Sequence, residues 1–451
     1  MERHFPELLQ TLLAEKRYGE LRKQLSLLAP IDLAECLDDL SDDELVFVFR
    51  LIPKDLAADT FVEMETRGQE ALIHAFSDRE LQTVINELFA DDVADLLEEM
   101  PANVVRRIIR NADSSLRKSV NELLCYPHNS VGSVMTTEFV DLSANMTVAE
   151  AFERIRETGP DKETVYTCYI IDKNRHLIGV IDVRTMLLAD PKQLIGDLMI
   201  ANPIFVKTIE DRETVIRMFE RYDLLALPVT DGEQRLIGIV TVDDAIDVMQ
   251  EEANEDFAKM AAMSPSEAPY LETSVFSHAR KRILWLLILM LSATFTGLLI
   301  SHYEAAFEAI PMLVSFIPML MDTGGNCGAQ SSTMVIRALA TEEIRFSDYF
   351  RVLFKEVRIS VCISLVLVVV NTARVLLMYG TDSQMLLIAL VLGATLVCAV
   401  TLAKILGCTL PMLAKRCGLD PAIMASPLIT TIVDACSVLV YFNVASAVLS
   451  L

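Results

Sequence analysis

The stretch TTIVDACSVLVYF, residues 430–442, sets one carboxylate, Asp434, about halfway along an apolar run from Pro421 to Leu449 that holds no other charge. Such a run is long enough to cross the roughly 30 Å hydrocarbon layer of a bilayer as a helix. A carboxylate at the centre of a span costs roughly 2.5–3.5 kcal/mol on insertion scales, so intramembrane acids are read as functional by default. The competing reading is a structural pair with Arg374 or Lys404, the other charges deep in apolar stretches.

Upstream of this run lie four more apolar segments, giving five near 283–302, 311–338, 352–379, 385–413 and 421–449. Arg280, Lys281 and Arg282 precede the first. Arg337, Arg345, Arg351, Lys355 and Arg358 surround the connection from second to third, and Lys415 and Arg416 separate the fourth from the fifth. The intervening loops HYEAAFEA (302–309) and YGTDSQ (379–384) contain no Lys or Arg. The positive-inside rule then predicts a cytosolic N-terminus and an external C-terminus in a multi-pass cell-membrane protein.

The 451 residues carry a net charge of −24, yet 52% are apolar and mean hydropathy is +0.39. Division near residue 275 reconciles these values. Residues 1–275 hold 27 Lys/Arg against 53 Asp/Glu, and residues 276–451 hold 12 against 10. So acidic a soluble half excludes nucleic-acid binding, which needs a basic footprint. It suits a partner that is itself cationic. The start MERHFPELLQ has no apolar core of signal-peptide length, which keeps the N-terminal half on the cytosolic side. Nine cysteines show no CxxC or zinc-finger spacing, and no constellation for nucleophilic or hydrolytic catalysis is visible, so the chain is not expected to be an enzyme.

Residues 1–130 read as an all-α helical-repeat domain. LSDDELVFVFRLIPKDLAADTFVEM (40–64) aligns without gaps to FSDRELQTVINELFADDVADLLEEM (76–100), which predicts paired short helices in a small superhelical array. Ser41 with Glu44 and Ser77 with Glu80 fit capping boxes. Asp91 and Asp95 are spaced to share a helix face.

After the turn-rich YPHNSVGS (126–133), short β-branched runs alternate with amphipathic helices over 131–250. HLIGVIDVRTML (176–187) matches RLIGIVTVDDAI (235–246), and VGSVMTT (131–137) matches IGDLMIA (195–201). This duplication resembles a tandem CBS-domain pair of α/β fold. Thr241 and Asp244 in TVDD fit the S/T-x-x-D pattern such modules use for ribose, making ATP or ADP a candidate ligand. The first repeat, with Val183 and Arg184 there, lacks the pattern.

A helix without Gly or Pro is predicted over VDDAIDVMQEEANEDFAKMAAM (242–263), and residues 251–277 connect it to a membrane domain over 278–451. Five helices are too few to enclose an aqueous path, so a symmetric homodimer is expected, with Asp434 facing its symmetry mate. Two facing carboxylates suit a divalent cation. In span two, MDTGGNCGAQSST (321–333) is dense in small residues that let helices pack closely. Close packing has no need of Asn326, Gln330 or the Ser331–Thr333 hydroxyls, which could offer oxygen ligands to a permeating ion, and Thr430 and Thr431 are further pore-lining candidates.

PMLMDTGGNCGAQSSTMVIRALA (318–340) and DPAIMASPLITTIVD (420–434), behind a helical repeat domain and a CBS pair, resemble the MgtE family of magnesium channels over essentially the whole chain. The resemblance implies that Asp434 is the selectivity site for hydrated Mg2+ on the dimer axis. It further implies a plug helix whose Glu252, Glu255 and Asp256, with Asp244 and Asp247, bind regulatory Mg2+. Asp211, Glu213 and Asp223, and Asp59, Asp91 and Asp95, are implied as further sensor carboxylates. Like charges crowded on closure, and relieved by a bridging divalent ion, would make such a sensor work. Two other readings stay open at this point: a carrier coupling a divalent metal to Na+ or H+, with Asp322 as its second charged site, and a membrane-anchored metal sensor.

Overall fold

The structure is a computed structural model, and it describes residues 5–265, 270–271, 273–303, 310–424 and 426–449. Most of the predicted external loop 302–309 therefore lies outside the described residues. The chain divides into two compact units, residues 1–249 and 250–451.

The first unit begins with short helices of unusual regularity. After Phe5–Ala14, helices start at Tyr18, Pro30, Asp42, Lys54, Thr66, Asp78, Ala90, Ala102 and Ser114, a step of 12 residues each time. The 36-residue repeat is thus three helices, not the pair expected from sequence. Helices pack on their second neighbours: Pro30–Asp38 on Lys54–Val62, Asp42–Phe49 on Thr66–Ala75, Asp78–Ile85 on Ala102–Asn111. Each is too short to be stable alone and is held by its apolar face, with Leu33, Leu45, Phe61, Leu72, Leu81 and Ile108 wholly buried. Ser77 and Glu80 form the predicted reciprocal capping box. Ser41 does not: its hydroxyl turns to the Glu44 carboxylate at 2.6 Å and leaves the helix N–H groups uncapped.

The apolar core continues through Val131 and Met135 to Val206, Leu227, Val229 and Val240. Two small mixed sheets follow, the first ordered Asp141–Leu142, Thr167–Ile171, Leu177–Asp182, Ile200–Ala201, the second Val206–Lys207, Ala226–Thr230, Leu236–Thr241. The two sequence duplications explain one another here. The segment after the first VGSVM pairs with the second module, Thr136 opposite Ile239, while Ile200, from the second motif, pairs with Val180 of the first. Each LIG glycine marks the crossing. A Cβ on Gly238 would stand 2.5 Å from the Thr136 carbonyl oxygen and 2.9 Å from Met135 Sδ, and one on Gly179 would stand 2.6 Å from Met199 Sδ. The modules exchange segments, and only glycine leaves room for the exchange.

The helix Val242–Met260 is continuous through residue 250. Five long helices follow: Val275–His302, Ile317–Ala340, Tyr349–Tyr379, Ser383–Arg416 and Ser426–Leu449. Four are long and apolar enough to cross a membrane. The exception is Ile317–Ala340, where Asp322, Asn326, Gln330 and four hydroxyl residues dilute the apolar content. Its 24 residues still span about 36 Å at 1.5 Å per residue. It packs against both Ser383–Arg416 and Ser426–Leu449, which bury Ser331 and Ser332 and leave Asp322, Asn326 and Gln330 exposed.

Candidate functional site

The second and fifth long helices meet through glycine. A Cβ added at Gly324 would lie 2.6 Å from Ser437 Oγ, one at Gly325 3.2 Å from Thr430 Cγ2 and 3.4 Å from Asp434 Oδ1, and one at Gly328 2.9 Å from Ile429 Cγ2. Asp434 therefore stands against the glycine-rich helix, half-buried, level with Gly325. Asp322, one turn toward the N-terminus of that helix, is close enough for its charge to act on Asp434. Asn326 Nδ2 donates to Asp322 Oδ1 at 3.1 Å. Asp322, Asn326 and Gln330, at i, i+4 and i+8, form one exposed polar stripe, opposite the buried Gly324, Cys327, Gly328 and Ser331. Thr430 and Thr431 donate their hydroxyls to the Pro427 carbonyl at 3.0 and 2.9 Å, which leaves oxygen lone pairs but no free donor.

The structural alternative for Asp434 has lost both its partners. Lys404 pairs with Glu356 at 3.7 Å, and Arg374 donates to Asn371 Oδ1 at 2.9 Å. Sequence reading passed over Glu356; one acid some seven residues into an apolar helix beside a lysine-bearing neighbour was its available signal.

Within the first unit, acidic side chains from the helical array and the CBS pair converge. Asp91 is 9% exposed, and its Oδ1 has no hydrogen-bond partner. Burial first, then the charges of Asp92, Asp244, Glu163 and Glu138, push its carboxyl well above the usual range. Burial and Asp244 raise Asp92 to about 6. Burial, Asp244 and Asp92 raise Glu163 to about 8. Asp244 is raised by burial although it accepts from Thr241 Oγ1 at 2.5 Å. A second group joins beside it: burial, then Asp247 and Asp59, raise Glu63. Sequence reading named Asp59, Asp91, Asp244 and Asp247. It missed Asp92, Glu163, Glu138 and Glu63, because acids scattered over 100 residues show no spacing that marks them as neighbours. Asp95, four residues after Asp91, is exposed.

Other predicted sensor residues are apart. Asp211 accepts from the Glu213 amide at 3.0 Å at the start of the helix Glu213–Tyr222, whereas Asp223 ends that helix in a left-handed conformation, φ 49°. One chain does not bring these three together. In the second unit, Glu255 and Asp420 both contact Lys259 Nζ, at 2.6 and 2.7 Å. Burial opposes that ammonium, yet its two partners raise its pKa overall. Burial and Asp420 raise Asp256. Glu252 lies on the same helix, half-buried. Lys259 is the sole basic residue of 242–263, and sequence reading gave it no role.

Among the described residues, no three His, Cys, Asp or Glu side chains stand close enough to ligate one metal ion directly. The Asp91 cluster still fits a cation: its buried orphan oxygen lacks a donor, and its strongest charged neighbours are all carboxylates. A hydrated ion suits the wider spacing, since Mg2+ keeps much of its water.

Profiles of three families match in chain order: the MgtE intracellular N domain over residues 28–129, CBS domains over 131–192 and 195–251, and the MgtE divalent cation transporter domain over 317–444. A protein of Thermus thermophilus, named magnesium transporter MgtE, is 35% identical over 100% of this chain and 99% of its own. The chain belongs to the MgtE family. A Bacillus subtilis protein of the same name is 30% identical over 98% of both chains. Among solved structures, the cytosolic domain of the Mg2+ channel MgtE in complex with ATP covers 53% of this chain and 98% of that one, with 35% identity and a TM-score of 0.51. The soluble part of a magnesium transporter covers 56% and 100%, with 29% identity and a TM-score of 0.53. As an MgtE-family member the chain is a multi-pass membrane protein of transporter type, with its helical-repeat and CBS domains preceding the membrane helices.

Proposed function

We propose that this chain is the protomer of a homodimeric Mg2+ channel of the cell membrane, driven by the membrane potential and closed by cytosolic Mg2+. The observation that carries this reading is Asp434, a carboxylate set against the glycine-rich helix with Asp322 and Asn326 beside it and with no ion-pair partner among the described residues. Facing its symmetry mate, Asp434 would hold Mg2+ through the ion's own water, so selection would be by hydrate size and charge. Asn326, Gln330, Thr430 and Thr431 would line the path. An inward step releases about 2.3 kcal/mol per elementary charge per 100 mV, so roughly twice that for Mg2+, and no pump is needed. The C-terminus would be external.

Closure would follow from the acidic clusters. Asp59, Asp91, Asp244 and Asp247, with Asp92, Glu138, Glu163 and Glu63, repel one another in the compact first unit, and a divalent cation relieves that repulsion. Asp95, Asp211, Glu213, Asp223, Glu252, Glu255 and Asp256 would add sites in the closed dimer. A cation that binds the closed form more tightly shifts the equilibrium toward it. ATP or ADP at the CBS pair is part of the reading: a solved relative holds ATP, and the Thr241–Asp244 pair supplies a polar edge. A carrier coupled to Na+ or H+ is the second reading, favoured by the closeness of Asp322 to Asp434.

Planar-bilayer recording separates the two. Discrete Mg2+ current steps that vanish when millimolar Mg2+ is added on the cytosolic side are expected. A fixed ion-to-ion stoichiometry without current steps would establish the carrier.

Proton linkage gives a second check. Glu163 and Asp92 hold protons more tightly folded than unfolded, so their contribution to stability is present at low pH and lost as pH rises through about 6 and then about 8. With chelator present, thermal unfolding of the full chain in detergent should occur at lower temperature at pH 8.5 than at pH 5.5. Mg2+ should restore more at pH 8.5, where binding at a hundred times its Kd there contributes about 2.7 kcal/mol in all. A Mg2+ effect independent of pH would remove this cluster from the sensor.

A further inference from the structure

Three polar contacts tie the third and fourth long helices together within the apolar region. Tyr349 OH meets Thr409 Oγ1 at 3.2 Å, Glu356 meets Lys404 at 3.7 Å, and Ser360 Oγ meets Thr401 Oγ1 at 3.1 Å. Glu356 and Lys404 are 8% and 5% exposed, so two charges are held out of both water and lipid. Neither touches the polar stripe of the glycine-rich helix. Yet that helix joins the seam at one point: Ser331 Oγ donates to Glu356 Oε2 at 2.7 Å and lies 3.3 Å from the Lys404 carbonyl oxygen.

The place of that attachment matters. Helical residues advance about 100° each, so Ser331, nine residues after Asp322, lies about 180° round the helix from it. A hold on Ser331 therefore fixes the azimuth of the opposite face, which carries Asp322, Asn326 and Gln330. Glycine contacts by themselves set how close the helices come, but resist rotation weakly, having no side chain to catch. A hydrogen bond to a buried charged acceptor is strong and directional. The lysine ammonium, 3.7 Å from the same carboxylate oxygen, holds that acceptor in place. Buried pairs of this kind add little net stability against an apolar replacement, and their best-supported use is to specify one arrangement among several.

We propose that Glu356, anchored by Lys404, is a positioning residue for ion selection: through Ser331 it fixes the rotation of the glycine-rich helix so that Asp322 and Asn326 stay on the ion pathway. This rests on the pore reading given above.

The test measures Mg2+ and Ca2+ flux into proteoliposomes containing the full chain, with Ser331→Ala and with the charge-free double variant Glu356→Leu/Lys404→Met. Ser331→Ala removes one hydroxyl and leaves the ion pair, so the protein should fold. Both variants should lower the Mg2+-to-Ca2+ flux ratio at least about threefold. A ratio is a property of each working molecule, so reduced recovery of either variant does not obscure it. Total flux that falls with an unchanged ratio would show a merely structural seam and overturn the proposal, as would wild-type ratios in both. Asp434→Asn is measured alongside. If it transports as wild type does, the pore reading fails; if it is inactive while both seam variants select normally, only the positioning role fails.

Discussion

Replacing Asp434 by asparagine should reduce Mg2+ uptake at least about 100-fold while leaving the protein folded and in the membrane. The two side chains have the same shape, so the contact with Gly325 survives and only the charge is lost. A carboxylate about 5 Å from a divalent ion, at an effective dielectric constant near 20, is worth on the order of 6 kcal/mol to that ion. Each 1.36 kcal/mol is a factor of ten in rate, so losing under half of that attraction already suffices. The neutral asparagine should also insert more readily, since the cost of a charge in hydrocarbon disappears. Isotope or fluorescent-indicator uptake into liposomes under an inward-negative potential makes the measurement. Uptake within twofold of wild type would show that the carboxylate does not meet the ion. A structural role is already disfavoured, because Lys404 and Arg374 have other partners.

Gly407→Ala is expected to be the most damaging methyl group that the membrane unit can receive. Its Cβ would stand 2.4 Å from the Gly328 carbonyl oxygen and 2.9 Å from Ser331 Cβ. Ordinary contact needs roughly 3.5 Å, so the fourth and second long helices would have to part by about 1 Å. The obstacle is backbone, which cannot rotate away as a side chain can. Overpacking of this kind costs roughly 1–3 kcal/mol. Separation here would also move Ser331 from Glu356 and shift the helix that faces Asp434. Transport and thermal stability should therefore fall together, transport by more than about tenfold. Gly297→Ala, on the first long helix with nothing within 4 Å of its Cβ, is the control and should change neither. Equal behaviour of the two variants would mean that the close approach at Gly407 is not needed.

These two residues differ in how visible they were beforehand. Asp434 announced itself, because a single acid in a long apolar run conflicts with its surroundings and the conflict is local. The TGGNCG run likewise marked a helix made for close packing. Gly407, in an unremarkable apolar stretch, had no such signal; its constraint is set by a carbonyl 79 residues earlier in the chain. The same holds for the acidic cluster. Net charge located it in the N-terminal half, and the i,i+4 spacing of Asp91 and Asp95 put both on one helix, yet the structure buries Asp91 and exposes Asp95. Asp91 instead meets Glu163, Glu138 and Asp244 from the CBS pair, which no periodicity could join to it.

Patterns carried within one element were readable in the amino acids: the domain order, the 36-residue repeat, the LIG duplication, the apolar segments and the charge at the centre of the last of them. Hydrophobic period, turn chemistry and insertion cost act over a few neighbouring residues, and for that reason they leave a trace in one dimension. The three-helix phase of the repeat, the segment exchange at Gly179 and Gly238, the Glu356–Lys404 pair and the convergence of carboxylates on Asp91 all depend on which distant elements pack together. That choice is made by the summed burial and steric fit of whole faces, which no single stretch of chain contains.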